Sequence, residues 1–258
     1  MSRRDFLTAG AVVAGVLATG QILSNKGVDV LSKAFAGESA PAWPWPYKKL
    51  DPEVVRKLGY QGYFEGGCCY GAAKAMLTEL RNKVGYPYTL IPEDMFRYGE
   101  GGMAGWGTIC GALNGASAII NLVSTKESWN PLVNELLGWY TQQPFPSRLH
   151  DSYSKFPNQV QSVCGSPLCH VSVTEWCAKA GVKVGDPQRK ERCGKLTGDV
   201  AARAVELLNL QADGKFVPAY KPSEEFASCL GCHVGPQSTL FNVQGKMNCV
   251  QCHEPHIK

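Results

Sequence analysis

The sequence has no stretch of low complexity and no fixed-period repeat beyond one short duplicated motif. It also has no run alternating apolar and polar residues as a half-buried strand does, which argues against a sheet protein. Net charge is small. A formal +4, part of it in the first residues, gives no reason to expect nucleic acid or another anionic partner. Histidine is scarce, with five in 258 residues, and that length allows one or two domains with a substantial core.

Cysteine, by contrast, is plentiful. Eleven is an odd total, and the chain is too long and the spacing too irregular for a small disulfide-stapled scaffold. Metal or redox chemistry is the better reading. Four of the cysteines form Cys229-Leu-Gly-Cys232-His233 and Cys249-Val-Gln-Cys252-His253. In Cys-x-x-Cys-His the two thiols add to the haem vinyl groups, and the histidine that follows is placed under the iron. A zinc site built on the same four thiolates would leave His233 and His253 unexplained. Two haems c per chain are therefore expected, with Cys229, Cys232, Cys249 and Cys252 as attachment points and His233 and His253 as proximal ligands.

A haem that only transfers electrons needs a sixth ligand. The remaining histidines are His150, His170 and His256, three candidates for two distal positions, and Met247 is a weaker option. His256 is too close to His253 to reach the opposite face of the same haem, so it would serve the neighbouring haem or a partner subunit's. Cys164-Gly-Ser-Pro-Leu-Cys169-His170 also resembles a longer-spaced attachment variant, which would make a third haem and require the ligands to be reassigned. The segment around the motifs has few large apolar residues, among them Phe226, Leu230, Leu240, Phe241 and Val250. Two haems would outstrip that cover, so packing against each other, against the preceding domain and in a homodimer is expected.

At the start, Arg3-Arg4 precede an uncharged stretch over 6–25, the twin-arginine export pattern, and Ala34-Phe35-Ala36 before Gly37 fits a cleavage site. The stretch is rich in Ala, Gly and Thr, so its insertion drive is weak, and an uncleaved anchor is the alternative. Residues 1–36 are read as the leader, with no stable membrane anchor once it is removed, and the periplasm as the destination. Twin-arginine export carries folded proteins, and haem c is attached after export, so the leader hints at a second cofactor inserted earlier.

Between leader and haem segment, 40–46 is a Pro/Trp linker. Helical periodicity follows over 68–84, from Cys110 to Val123, over 129–140, over 174–180, and from Cys193 to about Asn209. The expected fold is mainly α: a helical-bundle, cysteine-bearing domain over 37–215, then a small, loop-rich dihaem c segment over 216–258. Several helices start at or near cysteines (Cys68-Cys69, Cys110, Cys193), where the dipole and free amides favour thiolate and hence metal–sulfur ligation. Small buried packing residues are the alternative reading of such cysteines.

Gly67-Cys68-Cys69-Tyr70-Gly71-Ala72, Gly99-Glu100-Gly101-Gly102-Met103-Ala104-Gly105 and Thr108-Ile109-Cys110-Gly111-Ala112-Leu113-Asn114-Gly115-Ala116 resemble the redox-associated family named for its Cys and Gly-Cys pattern. With two C-terminal haem motifs and the leader, the mature chain as a whole resembles the split-Soret cytochromes c, periplasmic dimeric dihaem proteins of sulfate-reducing bacteria. That resemblance implies two closely packed bis-histidine haems, a homodimer in which the partner can supply a haem ligand, and a place for a 2Fe–2S or other iron–sulfur cluster. Cys110 and Cys193 match its cluster positions best, while Cys68 or Cys69 and Cys169 or Cys177 compete for the others. It implies an electron carrier exchanging with periplasmic redox partners. A haem- or iron–sulfur-dependent reductase is the alternative, and a structural or assembly role is a third.

Overall fold

The structure, a computed structural model, describes residues 40–239, 241, 244–254 and 256. The expected leader lies outside the described residues. Everything below belongs to the compact unit Pro41–Lys258. The fold is mainly α, as expected: α1 (Pro52–Lys83), α2 (Gly111–Val123), α3 (Trp129–Gln142), α4 (Cys169–Ala180), α5 (Pro187–Ala212) and α6 (Glu224–His233) are joined by loops and short 3₁₀ turns. Among the described residues no helix is long and apolar enough to cross a membrane.

Sequence chemistry sets the ends of these helices. Asp51 accepts hydrogen bonds from the amides of Glu53 and Val54, and Pro52 opens α1 with its φ already helical. Asp186 and Pro187 begin α5, two turns earlier than the periodicity from Cys193 indicates, so Cys193 lies inside that helix and not at its start. Gly181, at φ +68°, closes α4 in the left-handed conformation. α1 is broken at Gly66–Gly67, where Gly67 takes φ +82° and ψ −179°, a region essentially restricted to glycine. The second half of α1 therefore starts at Cys68, where the sequence placed a helix start.

α1 packs along α5 and α2, with the 3₁₀ stretch Glu93–Gly99 beside it, and α2 and α3 each close against α5. Leu77, Leu80, Leu113, Ile120, Leu136, Val200 and Leu208 fill the interface. α5 also buries Glu191, Lys195 and Asp199, spaced by four so that they share one face. These tie down the loop after α3. The Lys155 amide donates to Glu191 (2.8 Å), Lys195 donates to Asp151 (2.8 Å) and to the Phe156 carbonyl (2.7 Å), and Ser147 donates to Asp199 (2.6 Å).

The C-terminal segment is fastened to this bundle at a few points. Glu135 accepts from the amides of Ala219 and Tyr220, at 2.8 Å each, and Phe226 is buried. Gln251, inside the second haem motif, donates to the Cys164 carbonyl at 2.6 Å.

Candidate redox centre and haem-attachment segment

Two loops are registered by a single antiparallel bridge, Ile109 to Leu168, with the Cys110 amide donating to Pro167 and the Cys169 amide to Thr108. This sets the starts of α2 and α4 side by side, with Cys110 as the N-cap of one and Cys169 as the first residue of the other. Cys68, just after the break in α1, and Cys193 on α5 complete the set. All four thiols line one cavity of about 710 Å3, together with Tyr63, Tyr140, His170, Arg189 and Arg192. Part of its wall is the glycine-rich loop, including Gly101, Gly105 and Gly107. Gly111 must be glycine here, because a Cβ would run into Cys68 Sγ and the Gly99 carbonyl.

The geometry separates the competing cysteines. Cys68 faces the cavity, whereas Cys69 is fully buried against Gly99, and burial pushes its thiol up to about 12. Cys169 faces the cavity, and Cys177, two turns further along α4, is buried outside its lining. Hydrogen bonding between the Cys68 and Cys110 thiols raises the first and lowers the second to about 6, and burial holds Cys169 up at about 12. Among the described residues no three His, Cys, Asp or Glu side chains are closed on a point that would hold a metal ion. The four thiols ring a space instead.

Behind that ring stands Arg192, 1% exposed. It donates to Ser172 Oγ at 2.7 Å and approaches Cys193 Sγ at 3.9 Å, while its Nε has no hydrogen-bond partner. A buried cation facing sulfur, with an unsatisfied donor, fits a metal–thiolate centre whose thiols are deprotonated. Arg189 and Arg192 were not foreseen from the sequence. The available signal was the four-residue step from Arg189 to Cys193, which puts both on one helix face.

Sequence reasoning offers His150 among the distal haem ligands, and the structure gives its ring other partners. The ring is fully buried, with Nε2 3.0 Å from Asp199 and Nδ1 2.8 Å from the Tyr153 hydroxyl, so both nitrogens are engaged. Cys164, the first cysteine of the longer-spaced motif, is likewise engaged. It is buried in the core with Sγ donating to the Ser166 carbonyl at 3.1 Å, while Cys169 turns to the cavity. His170 is exposed at the cavity wall beside Gly107.

In the C-terminal segment Cys229, Cys232 and His233 lie on the last turn and a half of α6, and Cys249 begins a 3₁₀ turn that packs against it. Cys232, Cys252, His233 and His253 are exposed. Burial and the nearby Cys229 thiol raise the pKa of Cys249, and the 3₁₀ turn packs on α6, so the two motifs lie side by side. His256 Nε2 stands 3.4 Å from His233 Nε2, with ring centroids 5.6 Å apart.

A helical bundle with cysteines gathered on a cavity, continued by a segment bearing Cys-x-x-Cys-His motifs, defines a c-type cytochrome with an added redox-active cysteine domain. Residues 70–207 match the family described as "Putative redox-active protein (C_GCAxxG_C_C)". The chain is 33% identical over 269 residues to the split-Soret cytochrome c of Desulfovibrio desulfuricans (strain ATCC 27774 / DSM 6949 / MB), covering 98% of this chain and 94% of that protein. A solved structure, reported for a novel iron centre in the split-Soret cytochrome c from Desulfovibrio desulfuricans ATCC 27774, superposes with a TM-score of 0.76 at 34% identity. It covers 81% of this chain and 90% of that one. The chain belongs to the split-Soret cytochrome c family.

Proposed function

We propose that the protein is a periplasmic electron carrier with two covalently attached, bis-histidine haems c and an iron–sulfur centre held by Cys68, Cys110, Cys169 and Cys193. Haem c and an iron–sulfur cluster, when bound, supply one-electron couples. The chain's own residues anchor, ligate and insulate them. The observation that carries the reading is the pairing of His256 with His233 beside the second attachment motif. A histidine from the end of one motif region is brought to the proximal histidine of the other, which is how a second axial ligand would be presented.

Among the described residues no histidine is set against His253. A ligand from a partner subunit would complete the second bis-histidine site, and exposed Val217, Phe241 and Met247 give such a partner apolar surface to cover. Twin-arginine export of a folded chain agrees with a cluster inserted before translocation.

His256→Ala tests the ligation. One of the two haems should become high-spin with the other unchanged; a fully low-spin spectrum would remove His256 from the ligand set. The size of the cysteine cavity favours one second reading, a reductase, since it falls in the roughly 300–1,000 Å3 range of small-molecule sites. Substrate-dependent oxidation of the reduced protein, faster than its transfer to a soluble cytochrome, would favour it over the carrier.

A further inference from the structure

Among the described residues three cations are buried: Arg56, Lys195 and Arg192. The first two follow the usual rule that a buried charge has an opposite charge beside it. Arg56 meets Asp199 at 2.5 Å, and Lys195 meets Asp151 at 2.8 Å. Arg192 breaks the rule. Its hydrogen bonds go to a neutral hydroxyl, Ser172 Oγ, and toward Cys193 Sγ, and its Nε has none. No carboxylate reaches it from the other helices packed around it. Tyr140 from α3 donates to the same Ser172 hydroxyl at 3.0 Å, and Cys110 is the thiol at the start of α2. Glu100 is the one carboxylate among the residues lining the cavity, and it forms no ion pair with Arg192.

We propose that Arg192 is a positioning residue for the cysteine centre. Its counter-charge is the set of metal-bound thiolates, and its field sets the centre's reduction potential. This rests on the reading of the cavity as a metal–thiolate site. No carboxylate is paired with the guanidinium, so the charge that can match it is that of the sulfurs around the cavity, and a bound metal would hold all four of them as thiolates. Reduction adds negative charge next to a fixed cation in a poorly hydrated interior, so Arg192 favours the reduced state and raises the potential. The same logic ties the residue to loading: its charge destabilises the metal-free protein and stabilises the loaded one.

The test compares Arg192→Gln, Arg192→Met and Arg192→Lys in the full haem-bearing protein, loaded and after removal of non-haem iron by a chelator. Arg192→Gln should lower the midpoint potential of the non-haem centre and leave both haem potentials where they were, with Arg192→Lys restoring most of the difference. Loss of non-haem iron from Arg192→Gln, with haem c retained and iron regained in Arg192→Lys, would support the assignment equally. Arg192→Met should lower the melting temperature of the loaded protein and raise, or leave unchanged, that of the stripped one. An unchanged potential in loaded Arg192→Gln overturns the proposal, as does an equal drop in melting temperature in both states, which marks a packing role only. Absence of non-haem iron from the unaltered protein strikes the centre itself, and the assignment falls with it; that result is read before any variant is made.

Discussion

At Asp199 four hydrogen bonds converge on one buried carboxylate: from Arg56, from the His150 ring, and from the Ser147 amide and hydroxyl. Burial alone would raise its pKa, but the bonds from His150 and Ser147 and the Arg56 charge outweigh it and hold the group below the ordinary carboxylate value. A depressed folded pKa contributes stability that is fully present above the unfolded value of about 3.9 and is lost as pH falls through the folded one. Asp199→Asn should therefore cost about 1–3 kcal/mol near neutral pH, since it removes the buried charge facing Arg56 and the His150 ring while Arg56 keeps its ion pair with Glu53. Its acid denaturation curve should also be flatter below about pH 4, as followed by circular dichroism, because the titrating group is gone. At this scale the sequence is uneven as a guide. The Cys-x-x-Cys-His spacing of Cys229, Cys232 and His233 and of Cys249, Cys252 and His253 is legible at once, because its elements are adjacent along the chain. His150 is not, because nothing in its neighbours along the chain tells that Asp199, forty-nine residues away, will meet its Nε2.

Among the elements, α1 shows how one backbone conformation builds the candidate site. Gly67 turns the helix so that Cys68 reaches the cavity, and a Cβ there would also press on Glu100 Cγ at 2.9 Å. Gly67→Ala should lower stability by about 1–3 kcal/mol. It should also reduce non-haem iron per chain while haem c content stays the same, measured on the purified variant. The helix start at Cys68 was legible from periodicity and that at Cys110 from the glycine-rich loop before it. The start of α4 at Cys169 was missed, and 174–180 alone was expected. Cys-His-Val-Ser-Val has no helical stripe and two β-branched residues. What fixes that start is the bridge from Leu168 to Ile109, a contact between segments fifty-nine residues apart. The same contact settles which of Cys169 and Cys177 faces the cavity, a choice the sequence left open.

For the whole molecule, the bundle is closed around α1 and α5, whereas the haem segment is exposed and held by a handful of hydrogen bonds and Phe226. Sedimentation of the haem-loaded protein should give a dimer that persists at micromolar concentration, and a monomer would leave His253 without its proposed outside ligand. The mainly α class was readable from periodicity. The gathering of four distant cysteines was not, because it depends on how α1, α2, α4 and α5 pack.

Haem c and total iron per chain, determined on protein purified anaerobically from the periplasm, test the account most directly. It predicts two haems c with iron in excess of two, the surplus removed by substituting Cys68, Cys110, Cys169 or Cys193 and not by substituting Cys69 or Cys177. Three haems, fewer than two, or a surplus that depends on Cys69 or Cys177 would contradict it.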